Sequence, residues 1–246
     1  MGTKRLGAAG LVLVAGLVWP MGGSVSGQTP LPAIPGGGGA EVASPARTAA
    51  VTFQMVRSGL VVPRLRILLR EDGTGSYAGE EVTPPTTDGR APTTSQVARE
   101  ITVGALTTVK IFRVARAERF FNISCASKAK NIADTGAKTL RYAGPDGKGS
   151  CDYNYSENKD VVMLTELFLG IAATIDEGRR LEFKHRFDHL GLDAELDTLT
   201  QSNESGRAVE LVTIAPVLRQ LADDTELMQR VRSRAAKLLD RAGEGK

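Results

Sequence analysis

The sequence predicts an α+β fold: an antiparallel sheet of hairpins with one face covered by helices, followed by a helical C-terminal segment. Two observations predict it. Segments that alternate apolar and polar residues, separated by glycine-rich turns, occupy much of residues 51–103 and 139–156, and this alternation is typical of half-buried strands. Beyond residue 160 the apolar residues recur at helical spacing, as expected for helices that cover one side of a sheet.

The strands are predicted from alternation and from the turns between them. Glu71–Gly75 and Gly144–Gly149 are rich in Gly, Asp and Pro, which favours two hairpin turns. The predicted strands are 51–56, 64–70, 76–81, 97–103, 139–143 and 150–156.

The helices are predicted from apolar periodicity and from residues that begin or end helices. The expected N-cap of the first is Thr107 or Thr108, and Val109 is expected on its buried face. Gly191 is the expected C′ glycine of the longest helix, and Asp193 is the expected N-cap of the next. The predicted helices are 108–121, 160–190, 194–200, 207–222 and 225–241, with a polar loop at 201–205.

The composition is that of an ordinary globular chain. It has 246 residues, of which 41% are hydrophobic and 24% charged. These values exclude a disordered, collagen-like or membrane-embedded chain. We expect an α+β domain over residues 49–190, with the helical segment 191–246 packed on it.

The first 27 residues have the pattern of a secretory signal peptide. Lys4 and Arg5 precede an uncharged apolar run from Leu6 to Trp19, and small residues follow it. This run is shorter than the roughly 20 residues of a membrane-spanning helix. We therefore expect cleavage, export to the periplasm or the medium, and no membrane-embedded segment afterwards. Residues 28–48 are rich in Pro and Gly and are expected to form a flexible linker.

Processing changes the charge balance of the chain. Loss of Lys4 and Arg5 lowers the basic residues from 31 to 29, against 28 acidic residues. A nearly neutral chain gives no electrostatic reason to expect nucleic acid as a partner. The expected partner is a protein or another component of the cell envelope.

Cys125 and Cys151 are the only two cysteines, 26 positions apart. In an oxidising compartment such a pair is expected to form a disulfide. In the chain-entropy model, closing a loop of this length contributes roughly 3 to 4 kcal/mol.

Four runs in the second half of the chain carry a resemblance. They are Ala133–Leu140, the arm Tyr153-Asn154-Tyr155, Leu164–Leu181 and Arg186–Asp193. Together they resemble a family of uncharacterised exported bacterial proteins, over roughly residues 105–240. The resemblance implies export, a bacterial source and a layout of hairpins followed by helices. It implies no activity and no site residue.

His185 and His189 form the sharpest candidate for a metal site. They are the only histidines and lie four positions apart in a predicted helix, so both imidazoles can face one point, as in zinc sites. Glu182, one turn earlier, is a candidate carboxylate ligand. The alternative is a solvated helix end whose histidines interact with the helix dipole. We expect no cofactor, with a zinc ion at these residues as the alternative.

Tyr142, Tyr153 and Tyr155 form the candidate binding surface, on the second hairpin. Tyr153 and Tyr155 are expected to share a face of their strand, where aromatic rings can bind a ligand. The alternative is ordinary cross-strand packing of tyrosines in a sheet.

These motifs favour a binding protein over an enzyme. No serine lies in a G-x-S-x-G motif, and the Walker-like run Thr135–Thr139 lacks the first glycine of a phosphate loop. We therefore expect an exported, non-catalytic binding or interaction module without catalytic residues. The alternatives are a metal-dependent envelope hydrolase that uses His185 and His189, and a periplasmic hydrolase inhibitor.

Overall fold

A computed structural model describes residues 48–83 and 91–243 of the protein. The predicted signal peptide over residues 1–27 lies outside the described residues, and so does the predicted linker over 28–48 apart from its last residue. Within the described part, no helix is long and apolar enough to cross a membrane.

The strands form one antiparallel sheet, so the predicted α+β class is confirmed. The order across the sheet is β4-β3-β2-β1-β5-β6, which places the first strand of the chain near the centre. The predicted hairpin turns join β2 to β3 and β5 to β6. The strands are β1 (Ala50–Val56), β2 (Arg64–Arg70), β3 (Thr74–Thr83), β4 (Thr93–Thr102), β5 (Ala137–Gly144) and β6 (Gly147–Tyr153).

One face of the sheet is apolar and the other is polar, because side chains alternate along each strand. Phe53 on β1 lies opposite Ile67 on β2 and Leu140 on β5, and all three are fully buried. Gln54 and Arg66 lie opposite each other on the other face and are exposed. The apolar face carries the main core of the protein.

Helices cover this apolar face. Asn158 is the N-cap of the long helix α2. Its side chain accepts hydrogen bonds from the backbone N–H groups of Asp160 and Val161, as is usual for an N-cap residue. Its Phe168 stacks on Phe53 of the sheet, with ring centroids 5.2 Å apart. The helices are α1 (Ala105–Ala117), α2 (Lys159–Phe187), α3 (Leu192–Glu204), α4 (Ala215–Asp223) and α5 (Gln229–Arg241).

The first helix does not use the predicted threonine cap. It begins at Ala105, after Gly104, and Thr108 instead bonds back to the Gly104 carbonyl at 3.0 Å. The Gly104 N–H is satisfied from a distant part of the chain, by the carboxylate of Glu210 at 2.8 Å. The predicted buried position of Val109 is also wrong: its side chain is 64% exposed, while Thr108 is buried.

The predicted end of the longest helix is also wrong. The helix ends at Phe187, because the Asp188 side chain accepts from the Gly191 N–H at 3.0 Å and begins a 3-10 turn. Gly191 has φ −77°, so it is not a left-handed C′ residue. Asp193 lies within the first turn of α3 rather than at its N-cap. The predicted polar loop at 201–205 is largely helical, since α3 continues to Glu204.

Two clusters of buried apolar side chains lie within one compact unit, and α2 takes part in both. Its Phe168 belongs to the cluster under the sheet, whereas its Leu181 belongs to the cluster formed with α3, α4 and α5. A Cβ atom on Gly178 would overlap the side chain of Ile214. The segment before α4 can therefore lie close to α2 at this point only because Gly178 has no side chain.

The predicted disulfide between Cys125 and Cys151 is present, with Cα atoms 5.8 Å apart. It fixes the segment after α1 to the edge strand β6. In the same segment the Asn122 side chain donates to the Lys148 carbonyl at 2.8 Å. The β6 edge is thus covered by the protein's own chain.

Candidate binding groove

A groove lies between α2 and the loop that joins β1 to β2. The loop, residues 57–63, is closed by a hydrogen bond from the Arg57 N–H to the Pro63 carbonyl at 2.8 Å. A second bond, from the Val82 N–H to the Val61 carbonyl at 2.8 Å, fixes the loop to the end of β3. The space enclosed is about 750 Å³, within the range of small-molecule sites.

The walls of the groove are mainly apolar. On one side lies the loop, where Val61 is 64% exposed and Leu60 is partly exposed. On the other side, α2 presents residues that recur about once per helical turn, among them Phe183, which is 61% exposed. The ring of Phe187 lies 5.0 Å from that of Phe183 and extends the apolar surface beyond the groove. The apolar lining residues are Met55, Leu60, Val61, Val62, Leu65, Leu169, Ala172, Ala173 and Phe183.

One part of the wall carries a fixed polar network centred on Asp176. The Tyr77 hydroxyl donates to Asp176 Oδ1 at 3.3 Å, and Arg179 donates to the same oxygen at 3.3 Å and to Glu81. Burial raises the pKa of Asp176, and the nearby arginine only partly opposes this effect. Burial is also the main cause of the raised pKa of Tyr77.

The remaining cations of the lining are also paired. Arg180 Nε donates to Glu195 at 2.8 Å, and Lys184 Nζ donates to Asp188 at 3.1 Å. The described lining contains no Ser, Cys or His. The groove is therefore suited to hold an apolar group beside fixed hydrogen-bonding partners.

The two histidines lie close together, but not on one helix. His185 is in the last turns of α2, whereas His189 begins the 3-10 turn that follows. Their ring centroids are 5.8 Å apart. His185 Nε2 lies 2.7 Å from Asp224 Oδ2, and this hydrogen bond lowers the pKa of Asp224. His189 Nε2 lies 2.6 Å from the His185 carbonyl oxygen, so the Nε2 atoms of both rings already have partners.

Glu182 does not complete a metal site with the histidines. Its carboxylate forms an ion pair with Arg99 of β4. Among the residues that the structure describes, no three His, Cys, Asp or Glu side chains are grouped so as to hold a metal ion. The structure brings His185 and His189 together, but gives the three-residue zinc site no further support.

The three tyrosines do not form a common surface. Tyr142 and Tyr153 are buried in the core, where Tyr142 donates to Asp146 and Tyr153 lies 2.6 Å from the Thr165 hydroxyl. Burial raises the pKa of each of these two tyrosines to about 12. Tyr155 is exposed and lies beyond the end of β6, where the strand alternation has stopped. Cross-strand packing therefore describes Tyr142 and Tyr153 better than ligand binding.

None of the sequence patterns described above predicts the groove. A usable signal was present in the loop, where the apolar run Leu60–Val62 stands between Gly59 and Pro63. Apolar residues in a turn between two strands are unusual enough to mark a candidate surface. The α2 wall had no such signal, because Phe183 continues the helical spacing of the buried residues.

The chain was also compared with known proteins. No protein-family model and no curated protein matches it. The assignment of the groove as a candidate site therefore depends on its geometry.

Proposed function

We propose that this protein is an exported, non-catalytic binding module whose site is the groove between α2 and the β1–β2 loop. The observation that carries the proposal is the exposed apolar wall formed by Leu60, Val61 and Phe183. Clustered apolar side chains at a concave surface are typical of binding sites. The ligand is an apolar group of a protein or of another envelope component.

The paired charges beside the groove support binding rather than catalysis. Arg179, Arg180 and Lys184 each have a carboxylate partner within the protein. Their side chains are therefore held in place before a ligand arrives, which reduces the entropy lost on binding. Such residues orient the polar end of a ligand whose apolar part lies against Phe183.

Titration with a neutral apolar dye such as N-phenylnaphthylamine tests the site. We expect Phe183→Ser to weaken dye binding at least about tenfold, because it removes a large apolar contact. Leu106→Ser is the matched control: Leu106 is 90% exposed on α1 and is not among the residues that line the groove. Equal affinities of the Phe183→Ser variant and the native protein would contradict the proposal, as would an equal loss in the control.

Export is supported by the signal-like N-terminal sequence and is compatible with the disulfide. The full chain, produced in a bacterial host, should be recovered from the periplasm or the medium with its N-terminus near residue 28. Recovery of unprocessed chain from the cytoplasm would contradict this part of the proposal.

The two alternative functions stay predictions. For the hydrolase, His185 is hydrogen-bonded to Asp224, and the described residues include no group of three His, Cys, Asp or Glu side chains that could hold a metal ion. A hydrolase inhibitor would need an exposed contact surface, and Phe183 is part of the exposed apolar wall of the groove. The Phe183→Ser variant therefore also tests whether inhibition of a hydrolase depends on that wall.

A further inference from the structure

The two edges of the sheet differ in how far the rest of the chain covers them. At the β6 edge, the chain after α1 passes alongside the strand, and the Asn122 side chain and the disulfide of Cys151 fasten it there. Edge strands carry unpaired N–H and C=O groups, and proteins usually cover or interrupt them. At the opposite edge, β4, the turn Leu211–Ile214 lies close to the strand, and the N-terminal half of β4 is exposed.

β4 carries only one of the usual protective devices of an edge strand, the charged residues Arg99 and Glu100 near its C-terminal end. It pairs with β3 over ten consecutive residue pairs, from Thr93 to Thr102, without a bulge. It contains no Pro and no Lys. Residues 93–96 are exposed, so both faces of this end of the strand are open. Long, regular and open edges are the ones that accept another strand.

The hydrogen-bond pattern shows which residues direct their backbone groups outward. Directly after β4, the Val103 N–H donates to the carbonyl of Gly73, the residue before β3, at 2.9 Å. Hydrogen-bonded residues alternate along an antiparallel pair, so the odd-numbered residues of β4 bond to β3. The even-numbered residues direct their N–H and C=O groups away from the sheet. These residues are Thr94, Gln96, Ala98, Glu100 and Thr102.

We propose that two copies of this protein associate through their β4 edges, antiparallel, about a two-fold axis at Ala98. In this register Thr94 lies opposite Thr102 of the second copy, and Gln96 lies opposite Glu100. All five outward N–H groups and all five outward C=O groups of each β4 then have partners. The two sheets become one continuous sheet with the helices of both copies on the same face.

The side chains of β4 favour this register over the two registers whose axis lies one or two residues further toward the C-terminus. An axis at Arg99 or at Glu100 would place like charges directly opposite each other, which is destabilising. An axis at Ala98 places only two methyl groups together. It also allows the Gln96 amide to donate to the Glu100 carboxylate of the second copy. This self-complementarity identifies the occupant as a second copy, because a two-fold interface requires the same surface on both partners.

The first test is the oligomeric state of the purified protein by analytical ultracentrifugation over a range of micromolar concentrations. We expect a dimer that dissociates on dilution. Ala98→Pro removes one outward N–H without removing a bond to β3, and we expect it to be monomeric where the native protein is dimeric. Ala98→Thr is the matched control, since it keeps the N–H, and should remain dimeric.

A second test keeps the backbone unchanged. Ala98→Cys places one thiol on each side of the axis, with Cα atoms about 5.5 Å apart, within disulfide range. We expect mild oxidation to give a covalent dimer. Gln96→Cys is the control, because its counterpart in the other copy is offset by several residues and lies too far away for a disulfide.

A native protein that stays monomeric at every concentration would overturn the proposal. The occupant of this edge would then be an extended segment of a different protein. A dimer that survives Ala98→Pro, or an Ala98→Cys dimer that does not cross-link on oxidation, would overturn it too. If the proline variant does not fold, the two cysteine variants decide the question.

Discussion

Lys138 is a buried cation whose ammonium group joins two parts of the chain. Only 6% of its surface is exposed, and Nζ donates to the carbonyls of Thr135, Gly136 and Asn154 at 2.8 to 2.9 Å. Burial lowers the pKa of Lys138. The lysine therefore has a structural role, since it supplies donors to carbonyl groups where β5 begins and β6 ends.

We expect Lys138→Met to lower the free energy of unfolding by about 1–3 kcal/mol, because it leaves those carbonyl oxygens without donors. Urea denaturation measures the change. Lys148→Met, on the exposed part of β6, makes the same substitution at the surface and should have little effect. Equal stability of the Lys138→Met variant and the native protein would show that the acceptors find other donors.

Asp176 makes stability depend on pH in the direction opposite to most surface carboxylates. Burial raises its pKa above the ordinary value of 3.8 in the folded chain. A proton on Asp176 therefore stabilises the fold at low pH, and this stabilisation is lost as the pH rises through the folded pKa. Relative to Asp176→Asn, the native protein should gain stability as the pH is lowered from neutral. Urea denaturation of both proteins at several pH values tests the sign, and a relative loss on acidification would contradict it.

At the scale of elements, β1 and β2 could be predicted from the sequence, whereas the bounds of β4 and β6 and several helix ends could not. Alternation is a local property, so β1 and β2 were found almost to the residue. The start of α1 depends on the Glu210 carboxylate, which reaches it from a remote part of the chain. No local capping rule contains that information. Similarly, Glu182 could not be separated from the histidines without knowing that Arg99 of β4 lies beside it.

The contact between α2 and the segment before α4 depends on Gly178. In an exposed helix, Ala would be favoured over Gly by about 1 kcal/mol. Here the added methyl would overlap Ile214, so we expect Gly178→Ala to destabilise by about 1–3 kcal/mol. Thermal or urea unfolding measures it, with Glu166→Ala on the exposed side of the same helix as control. A more stable Gly178→Ala variant would mean that the contact relaxes at little cost.

At the scale of the whole molecule, α2 should make the two apolar clusters unfold together. All four tyrosines, Tyr77, Tyr142, Tyr153 and Tyr155, lie in or beside the sheet, whereas the second cluster consists of helices. Tyrosine fluorescence therefore reports on the sheet, whereas far-ultraviolet circular dichroism is dominated by the helices of both clusters, and the two transitions should coincide.

Leu218→Ala provides the sharper test of this coupling. Leu218 is fully buried in the helical cluster, and its truncation should cost about 2–5 kcal/mol. The tyrosine signal, which arises from the sheet, should shift to lower urea concentration by the same amount as the circular dichroism signal. A shift confined to circular dichroism would show that the helical part unfolds independently.

The strand order has a consequence for the sequence of events as the chain is made. β1 forms hairpin contacts with β2 almost at once, but its other neighbour, β5, is synthesised only after β2, β3, β4 and α1. Pairing across such a separation is slow, because the intervening chain must first be closed into a loop. Until β5 has formed, β1 is therefore an edge strand, although it lies near the centre of the finished sheet. A chaperone that delays the nascent chain should therefore act on β1. This action should end once residues 137–144 have emerged, because β5 then pairs with β1.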